Sequence, residues 1–176
     1  MPMAALELAP EGDRHIVIIR HFAAMPEEVY RAHVEASLIR RWMSGPEGWD
    51  MPVCNSDPRP GGGIRFEWAD AGGARFHLTG EYLELELGSR IVHVERMFLP
   101  EPTPDNHVET RFVPEGEGTL MTMRMTLPDA EARDAMLATG MEAGMEASYA
   151  RMEALLAGIR AGGEAPFGAR GDARGA

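Results

Sequence analysis

The feature that most constrains this chain is its order of elements. Several alternating segments run between about residues 15 and 127, and one long Met-rich amphipathic stretch, from about Asp129 to about Arg160, closes the chain. Read as a single helix of roughly 30 residues, that stretch is about 45 Å long, enough to cross an entire small sheet. A sheet that ends in such a helix can wrap it and enclose a space between the two. The expected class is therefore α+β.

The earlier elements are read from local pattern. His15–Phe22 is a strand, apolar on both faces in its middle. Pro26 opens a helix where a missing N–H does no harm, with Glu27 and Glu28 favourable to its dipole. Leu38, Ile39, Trp42 and Met43 give a second apolar face on a short helix that Gly45-Pro46 stops. Residues 46–63 are expected to be mostly loop, with one short strand near Met51–Cys54. Alternation then marks strands at 64–68, 76–82, 91–98, 108–113 and 119–127. On the last of these Met121, Met123 and Met125 share one face, and Arg124 lies on the solvated other. Asp129 is the expected N-cap of the final helix. Its apolar stripe is read as Leu137, Met141, Met145, Ser148, Met152, Leu155 and Ile159. Glu142 and Glu146 fall off that stripe and are read as solvated. Gly140 and Gly144 in mid-helix each cost about 1 kcal/mol relative to Ala, which points to close backbone approach or to space kept for a ligand.

Composition excludes several partners. The net charge is -11, with 17 basic residues, all Arg, and no basic cluster. Nucleic acid and anionic membrane surfaces are poor candidates, and no run approaches the roughly 20 apolar residues of a membrane span. The acidic first residues do not read as a secretory signal. Cys54 is the single cysteine, so no intrachain disulfide forms, and a reducing cytoplasm is the expected location. Residues 1–13 are expected as a flexible arm, 14–160 as one domain, and 161–176 as a disordered tail. The sequence leaves a homodimer open.

At this point six short motifs in order carry a resemblance. They are Arg20-x-Phe22-x-Ala24 with Glu28-Val29-Tyr30 and Trp42; Pro60-Gly61-Gly62 with Arg65-Phe66; Gly80-Glu81-Tyr82-Leu83-Glu84; Arg90-Ile91-Val92; Gly118-Thr119-Leu120; and Gly140-Met141-x-x-Gly144. Over Ile16 to Leu156 the chain resembles the stand-alone bacterial proteins similar to the activator of the heat-shock-protein-90 ATPase, a branch of the START-like (SRPBCC) superfamily. The resemblance implies a helix-grip fold: a curved antiparallel sheet wrapped around a long C-terminal helix, with two short helices after the first strand. It also implies an apolar cavity, since the superfamily binds lipids, sterols and polyketides, and some members are cyclases or hydrolases. Met25, where the family usually has Pro, and Met43 and Met145, where aromatic residues are common, depart from the pattern and soften the cavity wall.

The expected pocket lining is Trp42, Trp68, Phe76, Leu78, Arg96, Phe98, Met121, Met123, Met125, Leu137, Met141, Gly144 and Met145. Met side chains suit such a wall because they adapt to irregular shapes, although they also serve as plain core filler. Arg96 shares a phase with Val92, Val94 and Phe98; at the cavity mouth it would hold an anionic head group, and its bland reading is a surface ion pair with Glu95 or Glu109. His77 and His93 lie on strands expected to pair, and an inward one would be a general base. The sequence contains no P-loop, G-x-S-x-G or zinc-ligand spacing, so no catalytic residue, metal or cofactor is assigned. The leading function is binding of a small hydrophobic or amphipathic molecule. The alternatives are a cyclase- or hydrolase-type enzyme using the same cavity, and a stress-linked, co-chaperone-like interaction domain.

Overall fold

A computed structural model describes residues 6–162. Eight strands form one antiparallel sheet, in chain order β1 (Glu7–Glu11), β2 (His15–Phe22), β3 (Trp49–Ser56), β4 (Gly63–Asp70), β5 (Arg75–Glu86), β6 (Arg90–Phe98), β7 (Asn106–Glu115) and β8 (Gly118–Thr126). Spatially they run β1-β2-β8-β7-β6-β5-β4-β3. The helices α1 (Pro26–Val34) and α2 (Ala36–Trp42) follow β2, and α3 (Ala130–Leu137) and α4 (Met141–Gly162) close the fold. The α+β helix-grip architecture, with a curved sheet and a long C-terminal helix, is thus present.

One face of the sheet carries the core. Ile16, Ile18 and Phe22 of β2 lie opposite Met125, Met123 and Thr119 of β8, and Met121 lies opposite Phe112 of β7. All of these are buried. α4 is seated on this face by Tyr149, Met152 and Leu156. An ion pair buried beneath it fixes its position. Arg20, itself 3% exposed, points inward from β2. Its guanidinium donates two hydrogen bonds of 2.9 Å to the two carboxylate oxygens of Glu146 and one of 3.2 Å to Glu153. A two-pronged contact of this kind fixes geometry as well as charge. The Leu6 backbone N–H also donates to Glu146, at 3.0 Å. Together with Arg20, it holds the Glu146 carboxyl below its ordinary range. Arg151 donates to the Trp42 carbonyl at 3.1 Å and ties α4 to α2.

Four expectations are corrected. Residues 7–11, expected in a loose arm, form β1 in register with β2 from Glu7↔Ile19 to Glu11↔His15. Their backbone pairing needs no apolar alternation, and Leu6 and Leu8 anchor the segment to the core. The short strand expected near 51–54 is the eight-residue β3. Glu146, expected to be solvated only, is paired with Arg20 and remains half-buried. Finally, the single closing helix is two. Asp129 caps α3 as expected, accepting from the Ala132 N–H at 2.8 Å. Gly140, at φ +72°, then stops it with its N–H 3.2 Å from the Leu137 carbonyl, an ending that Gly adopts without the Cβ penalty. Because the break resets the helical phase, Tyr149 and Leu156 are buried in place of Ser148 and Leu155. Of the tail expected over 161–176, residues 161 and 162 continue α4 and the rest lies outside the described residues.

Close approach accounts for the central turn. A Cβ on Gly62 would stand 1.9 Å from the Asp57 carbonyl oxygen, so only glycine allows this chain crossing. There the Gly61 N–H donates to the Tyr82 carbonyl at 2.7 Å and the Tyr82 N–H to the Gly62 carbonyl at 2.9 Å.

Candidate functional site

The concave face divides into three zones. At one end, β2 and β8 with α4 make a filled apolar core, which includes Met121, Met123 and Met125. At the other end Trp68, Phe76 and Trp49 form an aromatic group: Trp68 stacks on Phe76 with ring centroids 4.7 Å apart, and Trp49 meets Phe76 at 5.3 Å. The Trp68 indole N–H is used by the Met43 carbonyl at 2.8 Å. Leu78 lies buried beside this group. Strand order puts β7, β6 and β5 between β8 and β4, so the methionines and aromatics are about 19 Å apart at roughly 4.8 Å per strand step.

The middle zone is polar. On β6 the inward phase is Ile91, His93, Glu95 and Met97, since these residues pair with Thr110, Val108, Asn106 and, across on β5, Leu78. His93 places Nε2 3.1 Å from Glu95 Oε2, and Asn106 donates through Nδ2 to Glu95 Oε1 at 3.3 Å. A carboxylate only accepts, so Nε2 of His93 faces it with its N–H, and Nδ1 acts as an acceptor whenever the ring carries one proton. Tyr82 packs against His93 at 6.4 Å. Its hydroxyl is 2.7 Å from Ser56 Oγ, which donates to the Val34 carbonyl at 2.6 Å. Burial pushes the Tyr82 phenol up to about 12.

α1 completes the zone from above. His33 lies among the rings of Phe112, Trp42 and Tyr149, with centroids 5.1, 5.5 and 5.8 Å away. Its Nδ1 donates to the Val29 carbonyl at 2.7 Å. Burial, opposed in part by that bond and reinforced by the charge of His93, lowers its pKa to about 4. The ring is therefore neutral at pH 7, and Nε2 is an acceptor. Three polar atoms here are sealed from solvent with no protein partner: His33 Nε2, His93 Nδ1 and Asn106 Oδ1. Burial also raises the Tyr149 phenol pKa, helped by the nearby Glu95 charge.

The polar zone is only partly buried. The His93 and Glu95 side chains keep 17% and 25% of their accessible surface, although both point to the core side of the sheet. His33 also keeps some, deep among aromatic rings. The helical cover is correspondingly loose: from Ala130 to Ser148 no residue is fully buried, while Met136, Leu137, Met141 and Met145 pack against the core in part.

Several expected lining residues lie elsewhere. Arg96 and Phe98 are on the outer face, because β6 runs in the opposite phase to the one its apolar residues suggest. Arg96 is exposed and pairs with Asp105 at 2.6 Å, a surface ion pair with a partner other than those anticipated. Phe98 stacks on His77 at 4.4 Å, also outside. His77 and His93 therefore face opposite sides of the sheet. Gly144 is exposed, and a Cβ there would meet nothing within 4 Å, so it keeps no space for a ligand. Trp42 is a buried joint rather than a wall: its indole N–H donates to the Ala32 carbonyl at 2.8 Å, and its ring stacks on Tyr149. The sequence reading missed His33, Asn106 and Tyr149. The available signal on β6 was that two polar residues, His93 and Glu95, share the phase of Ile91 and Met97, with His93 opposite Tyr82.

A separate open groove of about 430 Å³ lies at the β3–β4 end, with Ala36, Cys54, Ser56 and Ile64 in its wall. The Cys54 thiol is buried there and donates to the Ala36 carbonyl at 3.5 Å; burial raises its pKa, so it is no activated nucleophile. Among the described residues no cluster of His, Cys, Asp or Glu has the geometry to hold a metal ion, and no helix is long and apolar enough to cross a membrane.

Solved structures place the fold among bacterial proteins. A crystal structure from Rhodobacter sphaeroides superposes with a TM-score of 0.82 at 30% identity, covering 88% of this chain and 99% of that one. A Chromobacterium violaceum protein aligns at 0.67 and 28% identity, covering 83% and 97%. A Nitrosomonas europaea protein aligns at 0.74 and 22%, covering 86% and 99%, and at that identity shows the fold alone. No curated protein matches the chain. The fold is compatible with ligand binding or with a co-chaperone-like role. The sequence model described as activator of Hsp90 ATPase homolog 1-like protein matches residues 23–157, and the chain belongs to that family.

Proposed function

We propose that this protein binds a small amphipathic molecule between the sheet and its C-terminal helices, with the polar end of the ligand in the middle zone of the concave face. The carrying observation is that His33, His93 and Glu95 retain accessible surface on the core side of the sheet, while the C-terminal helices have no fully buried residue from Ala130 to Ser148. Apolar lining of about 25 cal/mol per Å² drives such binding, less the cost of ordering the ligand. Met136, Met141 and Met145 suit it because their side chains repack around different shapes. The site is built within one chain and needs no second copy. A cytoplasmic setting belongs to the same reading, since Cys54 is free and buried.

A second reading has its own observation. The inward His93–Glu95 pair, with Nδ1 of His93 unpartnered, is the arrangement of an oriented general base, so the same site could abstract a proton from a bound ligand.

Native mass spectrometry of protein purified from its own host tests the binding reading. A co-purifying mass of a few hundred daltons that organic solvent removes is the expected result. A clean unliganded mass, together with no binding of a hydrophobic fluorescent probe, would refute it. For the enzyme, His93→Gln abolishes turnover while ligand affinity survives.

A further inference from the structure

The three unpartnered atoms in the middle zone have one chemical character. His33 Nε2 is an acceptor because Nδ1 is committed to the Val29 carbonyl. In the singly protonated ring His93 Nδ1 is an acceptor, because Nε2 faces Glu95. Asn106 Oδ1 is an acceptor because Nδ2 faces the same carboxylate. His93 and Asn106 sit on paired strands, on the same side of the sheet, and His33 packs beside the Tyr149 ring that covers this zone, with centroids 5.8 Å apart. The neighbouring ionisable groups are Glu95, an anion, and the Tyr82 and Tyr149 phenols. The buried cation on this face, Arg20, is committed to Glu146 and Glu153.

From this we infer that the site selects ligands whose polar end donates hydrogen bonds, a hydroxyl or a protonated amine, and rejects carboxylates. The inference rests on the binding reading above and narrows it. Buried acceptors left without a donor are costly, so a ligand that supplies one relieves that cost, while an acceptor-only ligand leaves it in place. A carboxylate adds repulsion from Glu95, and the buried Arg20 is already paired with Glu146 and Glu153. This is the opposite of the preference that Arg96 would have given, had it lain at the cavity mouth.

The test compares four ten-carbon probes on the full-length protein: decan-1-ol, decylammonium, decyl methyl ether and decanoate, each measured by displacement of a hydrophobic fluorescent probe. Decan-1-ol and decylammonium should bind about tenfold more tightly than the ether or decanoate, the equivalent of one to two net hydrogen bonds. His93→Phe and, separately, Asn106→Leu should narrow that gap; the wild-type comparison stands even if one variant fails to fold. Equal binding of all four probes, or tighter binding of decanoate, would overturn the donor preference while leaving the binding reading intact. No binding by any of the four would overturn the binding reading itself.

Discussion

Acid should destabilise this protein through His33 in a measurable way. The ring titrates near 4 in the folded state, against an ordinary 6.5 in the unfolded chain. Between those values the unfolded chain holds a proton that the folded one refuses. The contribution is therefore fully present above about pH 6.5 and is lost as pH falls toward 4. At about 1.4 kcal/mol per pH unit, the drop of some 2.5 units amounts to about 3 kcal/mol. The accessible surface that His33 keeps lets water soften the penalty, which makes this a ceiling. Glu109 and Glu146 also have lowered pKa values, and they too lose stability in acid, so a difference measurement is needed. His33→Phe removes the titrating group and keeps a ring among Trp42, Phe112 and Tyr149. Urea midpoints for both proteins at pH 7, 6, 5 and 4.5 should show the wild type falling faster, its advantage over the variant shrinking by about 2–3 kcal/mol. Parallel curves would show that the ring is hydrated and that the zone is an open cleft.

Three further outcomes follow from the same packing. Gly144→Ala should stabilise by up to about 1 kcal/mol without altering probe binding, because a methyl there meets open space, whereas Gly140→Ala should cost about 1–2 kcal/mol at its positive φ; thermal melts of the pair distinguish them. Arg20→Met should cost about 2–3 kcal/mol in denaturant titrations by leaving Glu146 and Glu153 without their shared cation. Arg96→Met should change stability by less than about 1 kcal/mol and leave the affinity for every ligand unchanged, since its pair with Asp105 is exposed.

Much of the fold was legible because it rests on local signals. Pro26 at the start of α1, Asp129 at the cap of α3, and the alternation of Met121, Met123 and Met125 each act within a few residues. The site was less legible, for three physical reasons. Burying apolar residues normally sets the phase of a strand, but on β6 Val92, Val94 and Phe98 face outward while His93 and Glu95 face inward. Such violations are expected where a site trades stability for chemistry. The helical stripe was projected through Gly140 without a phase break, so Tyr149 was passed over. Glu146 looks solvated by every local rule; its partner, Arg20, stands 126 residues earlier in the chain. A pairing at that separation leaves no trace in spacing.

The central claim is that the binding site lies on the concave face, around His93, Asn106 and His33. The most direct measurement is a residue-resolved nuclear magnetic resonance titration with decan-1-ol. The account predicts saturable shifts of the His33 and His93 ring signals and of the Asn106 side-chain amide, with Met141 and Met145 methyls following. Shifts confined to the outer face, at His77, Arg96 and Phe98, would contradict it.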